Sequence, residues 1–212
     1  MQSLWNELDA QPFLNDPVAL RAYTSRLLGQ NPSLVLHGGG NTSVKVQEKD
    51  FFGHPQNLIY VKGSGWDLAT IQSAGFAPIK LDVLLQMARL SQLSDSEMVR
   101  LQRASLTNPD APTPSVEAIL HALVPFRYVD HTHADAVITL TNTPGGAERV
   151  RELYGERVLV LPYTMPGFIL ARQVFESTLD IDWKKLDGIV LLSHGIFSFA
   201  ENASESYEKM IA

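Results

Sequence analysis

The chain contains no cysteine, which excludes disulfide bonds, thiolate nucleophiles and zinc–thiolate sites. No apolar run approaches the roughly 18 to 20 residues that cross a bilayer, and the acidic N-terminus has no basic segment typical of a secretory signal. Positive charge is scarce, because 17 Lys and Arg against 23 Asp and Glu give a net charge of −6. These absences predict a cytoplasmic protein with neither a membrane nor a nucleic-acid partner.

The composition that remains is that of one globular domain. With 212 residues, 45% hydrophobic and 19% charged, the chain can bury one substantial core but is short for two ordinary domains. No repeat or linker divides residues 1–212. Asp16 and Pro17 predict a helix that ends near Gly29, and Ser94 with Glu97 predicts a capping box. Strand-like and helical segments alternate irregularly, which predicts an α/β protein whose mixed sheet has helices on both faces.

Three of the six histidines lie at the ends of predicted strands. His131 and His133 are two residues apart, so their side chains project from the same face of an extended strand. His194 closes a separate apolar run that begins at Gly188. Three imidazoles around one ion, with a position left open, are typical of a catalytic divalent metal site. The alternative is that one or more of them are ordinary surface or core histidines.

Two glycine-containing loops could bind an anion. The first, Gly38–Gly40, precedes a strand-like segment, and the second, Lys62–Gly65, adds a cation and a hydroxyl group. Glycine permits positive φ and lets an anion approach backbone N–H groups closely. The first loop has neither the Lys-Ser/Thr ending of a P-loop nor the spacing of a dinucleotide fold. Together they predict a phosphate cradle with Gly40 in its backbone and Lys62 as the counter-charge, although a tight turn would also account for the first loop.

Glu117 lies in the first turn of a short helix predicted from Pro114 to Leu123, and His121 follows four residues later on the same face. A carboxylate beside a metal could move a proton on a carbon that a metal-bound carbonyl makes acidic. Two structural alternatives stay open. Glu117 could be a first-turn acid favoured by the helix dipole, and His121 could be a packing or hydrogen-bonding residue.

Taken in chain order, these segments resemble the class II aldolase and adducin family. The resemblance is carried by five motifs, namely Gly39–Lys45, Lys62–Gly65, Ser115–Glu117, His131–His133 and His194–Gly195. It runs from about Leu20 to Ala212. The nearest similarity is to the aldolase portion of bacterial bifunctional rhamnulose-phosphate aldolase/short-chain dehydrogenase proteins.

The resemblance implies a three-layer α/β/α sandwich with a mixed, mostly antiparallel sheet. It also implies one divalent metal ion per subunit, usually Zn²⁺, and homo-oligomers, commonly tetramers. The roles that it implies for residues are metal binding by His131, His133 and His194, acid/base catalysis by Glu117, and binding of the substrate phosphate by Asn41, Ser64, Gly65 and Ser115.

The implied function is a metal-dependent aldolase that cleaves a ketose 1-phosphate, such as rhamnulose or fuculose 1-phosphate, to dihydroxyacetone phosphate and an aldehyde. The alternatives are a pentulose-phosphate 4-epimerase or a sugar-phosphate dehydratase on the same metal site, or a non-catalytic adducin-like interaction module. Val116 stands where sugar-phosphate aldolases often have a second serine, and only 18 residues follow His194 where family aldolases usually have a longer tail. We also expect that no dehydrogenase domain follows. These departures add the expectation of a fragment, a truncated gene product or an aldolase with altered activity.

Overall fold

Seven strands form one mixed sheet in the computed structural model, which describes residues 1–212. The strands are β1 (Asn41–Lys49), β2 (Pro55–Lys62), β3 (Phe76–Lys80), β4 (Tyr128–Thr132), β5 (Val158–Leu161), β6 (Gly188–Leu191) and β7 (Gly195–Ala200). Their order across the sheet is β3-β2-β1-β4-β7-β6-β5. Only β5 and β6 pair in parallel. The prediction of a mixed, mostly antiparallel sheet is confirmed.

Helices cover both faces of this sheet. They are α1 (Glu7–Ala10), α2 (Pro17–Gly29), α3 (Leu81–Ala88), α4 (Asp95–Ala104), α5 (Ala118–Leu123), α6 (Asp135–Thr141), α7 (Gly146–Tyr154), α8 (Phe168–Ser177) and α9 (Ala203–Ile211). None of them is both long and apolar enough to cross a membrane. Side chains of α2, α6, α7 and α9 share one buried cluster with Tyr128, whereas those of α3, α4, α5 and α8 lie in clusters on the other face. The three-layer α/β/α architecture is therefore confirmed.

The alternation of side chains along the strands supplies both cores. Tyr128 and Val190 belong to the cluster under α2 and α9, while their neighbours Val129 and Ile189 belong to the opposite cluster. Successive residues of a strand point to opposite faces, so a strand buried on both sides must be apolar almost throughout. The short apolar run of β6 satisfies this requirement, since all four of its residues are buried.

The ends of several elements agree with the predictions. Asp16 caps α2 by accepting hydrogen bonds from two backbone N–H groups, and Ser94 with Glu97 forms the predicted capping box of α4. The helix predicted from Pro114, in contrast, begins only at Ala118. The preceding residues pair instead with the second glycine loop, because Ser64 N donates to Thr113 O and Ser115 N donates to Lys62 O. Hydrogen bonds to a distant loop thus replace the first helical turn.

Antiparallel pairing brings the functional segments to one edge of the sheet. Asn41, at the start of β1, is opposite His131 near the end of β4, and Thr132 is opposite Ile196 at the start of β7. The end of β2 reaches the same edge, because Val61 is opposite Ser43. The loops that precede β1 and β7 and those that follow β2 and β4 therefore surround a common space.

Candidate metal centre and anion-binding cleft

The three predicted metal ligands converge at this edge. His131 lies in β4, His133 follows that strand, and His194 lies in the turn between β6 and β7. Their ring centroids are separated by 4.9 to 5.4 Å, and one nitrogen from each ring lies within 4.8 Å of the other two. Residues about 60 positions apart in the chain become neighbours because β4 pairs with β7.

Two residues beside His194 shape the turn that carries it, and the sequence motifs assigned neither of them a role. Ser193 adopts the left-handed conformation, with a φ of 57°. At Gly195 a Cβ atom would lie 2.3 Å from the carbonyl oxygen of Thr132 and 3.0 Å from Cε1 of His131. Only glycine therefore allows β7 to start this close to the end of β4. The only sequence signal for Gly195 was its place after His194, and the steric reason why this residue must be glycine becomes visible only in the fold.

The protonation of these histidines favours metal binding. Burial, reinforced by the neighbouring His133, lowers the pKa of His131 to about 3. Burial and the nearby His131 lower the pKa of His194 to about 4, although Glu117 opposes this shift. Burial also lowers the pKa of His133, again against the effect of Glu117. All three rings are consequently neutral near pH 7, and a neutral imidazole has the lone pair that a metal ion requires.

The orientation of the rings fits a bound divalent cation. Nδ1 of His131 lies 3.1 Å from the carbonyl oxygen of Ile196, so Nδ1 carries the proton and Nε2 keeps its lone pair. That Nε2 lies 3.1 Å from Nε2 of His133. Two nitrogens on one tetrahedral zinc ion are about 3.4 Å apart, given the usual Zn–N distance. The donor set and its spacing thus fit a three-histidine metal site, whose ion would be held by His131, His133 and His194.

Glu117 lies directly beside this centre. Its Oε2 is 3.5 Å from Nε2 of His131, and its Oε1 is 3.4 Å from Nε2 of His194. The carboxylate is buried, with 6% of its side chain exposed, and Oε1 has no hydrogen-bond partner. Oε2 accepts a hydrogen bond of 2.6 Å from Nδ2 of Asn41. One carboxylate oxygen is therefore held by the protein, while the other is free to interact with a ligand.

The two glycine loops line a cleft of about 290 Å³ that ends at the histidines. Lys62 is almost buried, and its Nζ donates to the carbonyl oxygen of Gly38, which links the loops. Burial lowers the pKa of Lys62, against the effects of Asp67 and Glu117. Gly40 and Gly65 have positive φ, and their backbone N–H groups have no acceptor within the protein. A buried cation and free N–H groups can together bind an anion.

The fold brings together every residue that the sequence assigned to the site. Nine of them line the cleft: Gly40, Asn41, Lys62, Ser64, Gly65, Ser115, Glu117, His133 and His194. His131 is fully buried and stacks on Phe197, with 4.1 Å between the ring centroids. Pro166, to which the sequence assigned no role, also lines the cleft. The individual roles stay predictions, since position shows proximity and not chemistry.

Comparison with known proteins agrees with this geometry. The family model described as "Class II Aldolase and Adducin N-terminal domain" matches residues 19–212. The chain belongs to the class II aldolase and adducin family. Class II aldolases use a divalent metal ion, and the three-histidine cluster of this family member could bind one.

Individual relatives extend the comparison. The N-terminal class II aldolase domain of a conserved protein from Thermoplasma acidophilum is 41% identical, with a TM-score of 0.89 over 100% of this chain and 94% of that one. A Bacillus subtilis (strain 168) protein called "Uncharacterized oxidoreductase YuxG" is 36% identical over 90% of this chain. The chain spans only 27% of that relative. The L-fuculose-1-phosphate aldolase from Thermus thermophilus shares the fold, with 17% identity and a TM-score of 0.53 over 93% of this chain and 90% of that one. The similarity to rhamnulose-phosphate aldolase/dehydrogenase fusion proteins in particular stays a prediction.

Proposed function

We propose that this family member is a metal-dependent aldehyde-lyase that cleaves a ketose 1-phosphate to dihydroxyacetone phosphate and an aldehyde. The observation that carries the proposal is the position of Glu117. Its Oε1, which has no hydrogen-bond partner, faces the three-histidine cluster in a cleft that is also lined by a buried lysine and by glycines with unpaired backbone N–H groups. The neighbouring sugar-phosphate aldolases of known structure support the same substrate class.

The cleft can divide the substrate into an anchored end and a reacting end. Lys62, Ser64, Ser115 and the N–H groups of Gly40 and Gly65 would bind the phosphate, whose charge does not change during the reaction. Asn41 belongs to the same predicted set, but both N–H groups of its amide already donate within the protein, to Ser115 and Glu117. Uniform binding of this kind positions the carbonyl end of the substrate at the histidines. Rhamnulose and fuculose 1-phosphate are the substrates we propose.

Glu117 would handle the proton. Cleavage takes the proton from the substrate hydroxyl group whose carbon becomes the aldehyde, and it leaves an electron pair on the carbon next to the carbonyl group, which must gain a proton. Oε1 of Glu117, which has no hydrogen-bond partner, would accept the hydroxyl proton and return it to that carbon. A divalent ion on His131, His133 and His194, which we propose to be Zn²⁺, would supply Lewis-acid stabilisation of the negative charge on the carbonyl oxygen.

The test is a Glu117→Gln variant assayed alongside Glu152→Gln, which changes an exposed acid that does not line the cleft. We expect Glu117→Gln to bind one equivalent of zinc, measured by elemental analysis after reconstitution, and to lose at least about 100-fold in kcat. Release of dihydroxyacetone phosphate is followed with a coupled reductase. Glu152→Gln should match the wild type. Full cleavage activity in Glu117→Gln would remove its assigned role.

The substrate panel separates this proposal from the alternatives. Rhamnulose and fuculose 1-phosphate should yield dihydroxyacetone phosphate, whereas conversion of ribulose 5-phosphate to its 4-epimer would identify an epimerase. Loss of water from the substrate would identify a dehydratase. Failure to bind any divalent ion after reconstitution would favour a non-catalytic interaction module.

A cytoplasmic location and a homo-oligomer, expected to be a tetramer, belong to the same proposal. Light scattering on the purified protein measures the oligomeric state.

A further inference from the structure

Polar side chains on one face of β1 contact the N-cap residue of α5, Glu117, and His121 within the helix. Asn41, Ser43 and Lys45 alternate along the strand and therefore share a face. Asn41 binds Glu117 at the start of the helix, Ser43 Oγ lies 2.9 Å from Nδ1 of His121, and Lys45 Nζ donates to the carbonyl oxygen of His121 over 2.9 Å. The helix that presents Glu117 is thus attached to the strand at several points.

The hydrogen-bond directions in this array follow from the chemistry of Asn41. Its Nδ2 donates to Oε2 of Glu117 and to Oγ of Ser115, so its Oδ1 faces Nε2 of His121 and must accept from it. Nε2 of His121 therefore carries the proton. Nδ1 keeps its lone pair and accepts the hydroxyl proton of Ser43. Donors consequently point in one direction, from Ser43 through His121 and Asn41 to Glu117.

This arrangement determines which way the Asn41 amide faces. If the amide rotated by half a turn, its Oδ1 would meet Oε2 of Glu117, and two acceptors would face each other in a buried site. The N–H group of His121 prevents that rotation by occupying Oδ1. Ser43 and His121 are completely buried, so the array ends inside the protein and cannot carry protons to solvent. Its effect is on position.

We propose that His121 is a positioning residue, which orients the Glu117 carboxylate through Asn41 for the reaction proposed above. With Oε2 held by the amide, Oε1 is left to face the ligand. This inference rests on the proposed function. The competing role is packing, because the His121 ring also contacts Phe197 in an edge-on geometry with 5.4 Å between the centroids. A phenylalanine would satisfy packing but could not donate to Asn41.

Three variants separate positioning from packing. His121→Phe keeps an aromatic ring but loses the N–H donor, whereas His121→Gln keeps an amide N–H near the position of Nε2. Thr42→Val changes another residue of β1 and removes its buried 2.7 Å hydrogen bond to Ser25 of α2. We expect His121→Phe to lower kcat by about 10- to 100-fold, with KM and zinc content unchanged. We expect His121→Gln to stay within about threefold of the wild type, since the donor is retained.

Thr42→Val serves as the matched control for a general loss of stability. It should lower the melting temperature as the His121 variants do, yet leave kcat unchanged. Wild-type activity in His121→Phe, or an equal loss in His121→Phe and His121→Gln, would overturn the positioning role while leaving the proposed function intact. Absence of turnover in the wild type itself would overturn both.

A measurement without substrate tests the geometry directly. Two-bond ¹H–¹⁵N correlation spectra of the histidine rings distinguish the two neutral tautomers, and the His121→Gln variant identifies the signals of His121. We expect the Nε2–H tautomer in the wild type. We expect Ser43→Ala, which removes the donor to Nδ1, to shift the Nδ1 resonance. Observation of the Nδ1–H tautomer would mean that the hydrogen bonds of His121 run in the opposite direction, and it would contradict the inference.

Discussion

The guanidinium group of Arg21 lies 2.5 Å from the carboxylate of Asp130, and neither side chain is exposed to solvent. Asp130 precedes His131 in β4 and therefore points to the opposite face of the sheet. The ion pair joins α2 to β4, and a hydrogen bond from Ser206 to Asp130 adds α9. The strand that carries His131 is thus attached, on its opposite face, to two helices of that layer.

Asp130→Asn should destabilise the protein strongly. It leaves the buried charge of Arg21 without its partner, which typically costs about 3 to 5 kcal/mol. Asp187→Asn is the control, because Asp187 pairs with Arg157 at 2.6 Å and with Lys209 at 3.3 Å but is far more exposed, and its loss should cost about 1 kcal/mol or less. Urea unfolding measures both. Equal losses of unfolding free energy in Asp130→Asn and Asp187→Asn would show that burial does not make the ion pair of Asp130 more important for stability than an exposed one.

Gly195→Ala should weaken metal binding. The new methyl group would collide with the Thr132 carbonyl group and press on the His131 ring, so β7 must move away from β4. We expect the zinc dissociation constant to rise by at least about 10-fold, as is usual when ligand orientation is disturbed. Gly38→Ala is the control, since nothing lies within 4 Å of its added Cβ atom. Competition with a chromophoric chelator measures both constants, and unchanged affinity in Gly195→Ala would show that the turn can relax.

Lys62→Met should impair binding of a phosphorylated substrate without affecting the metal. Lys62 is the buried cation of the cleft, and hydrogen bonds to charged groups are typically worth about 1.5 to 3 kcal/mol, which corresponds to a KM increase of about 10- to 100-fold. Lys49→Met changes an exposed lysine and should have little effect. Steady-state kinetics with zinc analysis gives both quantities. A fall in kcat at constant KM would assign Lys62 to the chemical step instead.

The metal-free protein should lose stability in mild acid. The pKa of His131 is lowered to about 3 and that of His194 to about 4, against an ordinary value of 6.5. At pH values between the folded-state and unfolded-state pKa, the unfolded chain binds more protons than the folded one. The free energy of unfolding is therefore highest above about pH 6.5 and falls as the pH decreases below it. The slope approaches about 1.4 kcal/mol per pH unit for each histidine.

Urea unfolding after treatment with a chelator, from about pH 7 to about pH 4.5, measures this dependence. His131→Gln should reduce the slope of the unfolding free energy against pH by the contribution of one histidine, which approaches about 1.4 kcal/mol per pH unit. A free energy of unfolding that does not change with pH over this range would contradict the assignment of buried, neutral imidazoles.

Local sequence signals were sufficient for several elements of the fold. Asp16 with Pro17 and Ser94 with Glu97 define helix starts through hydrogen bonds within a single turn, so no distant residue is needed to predict them. Residues 114–117 were predicted wrongly as the first turn of a helix whose remaining residues, Ala118–Leu123, are helical as predicted. Ser115 N donates instead to the carbonyl oxygen of Lys62, which is distant in the chain, and no local pattern reports such a partner.

For the site, the amino-acid sequence was sufficient to identify the chemical groups: three histidines, one glutamate and two glycine loops whose residue types suit a cation and an anion. The fold was needed to show that His194 reaches His131, that Gly195 allows it to do so, and that His121 contacts Asn41. The physical reason is that residue type and spacing set what a side chain can bind and which way it faces within its own strand. Strand order and register, which depend on burial of both sheet faces, set the side chains it meets.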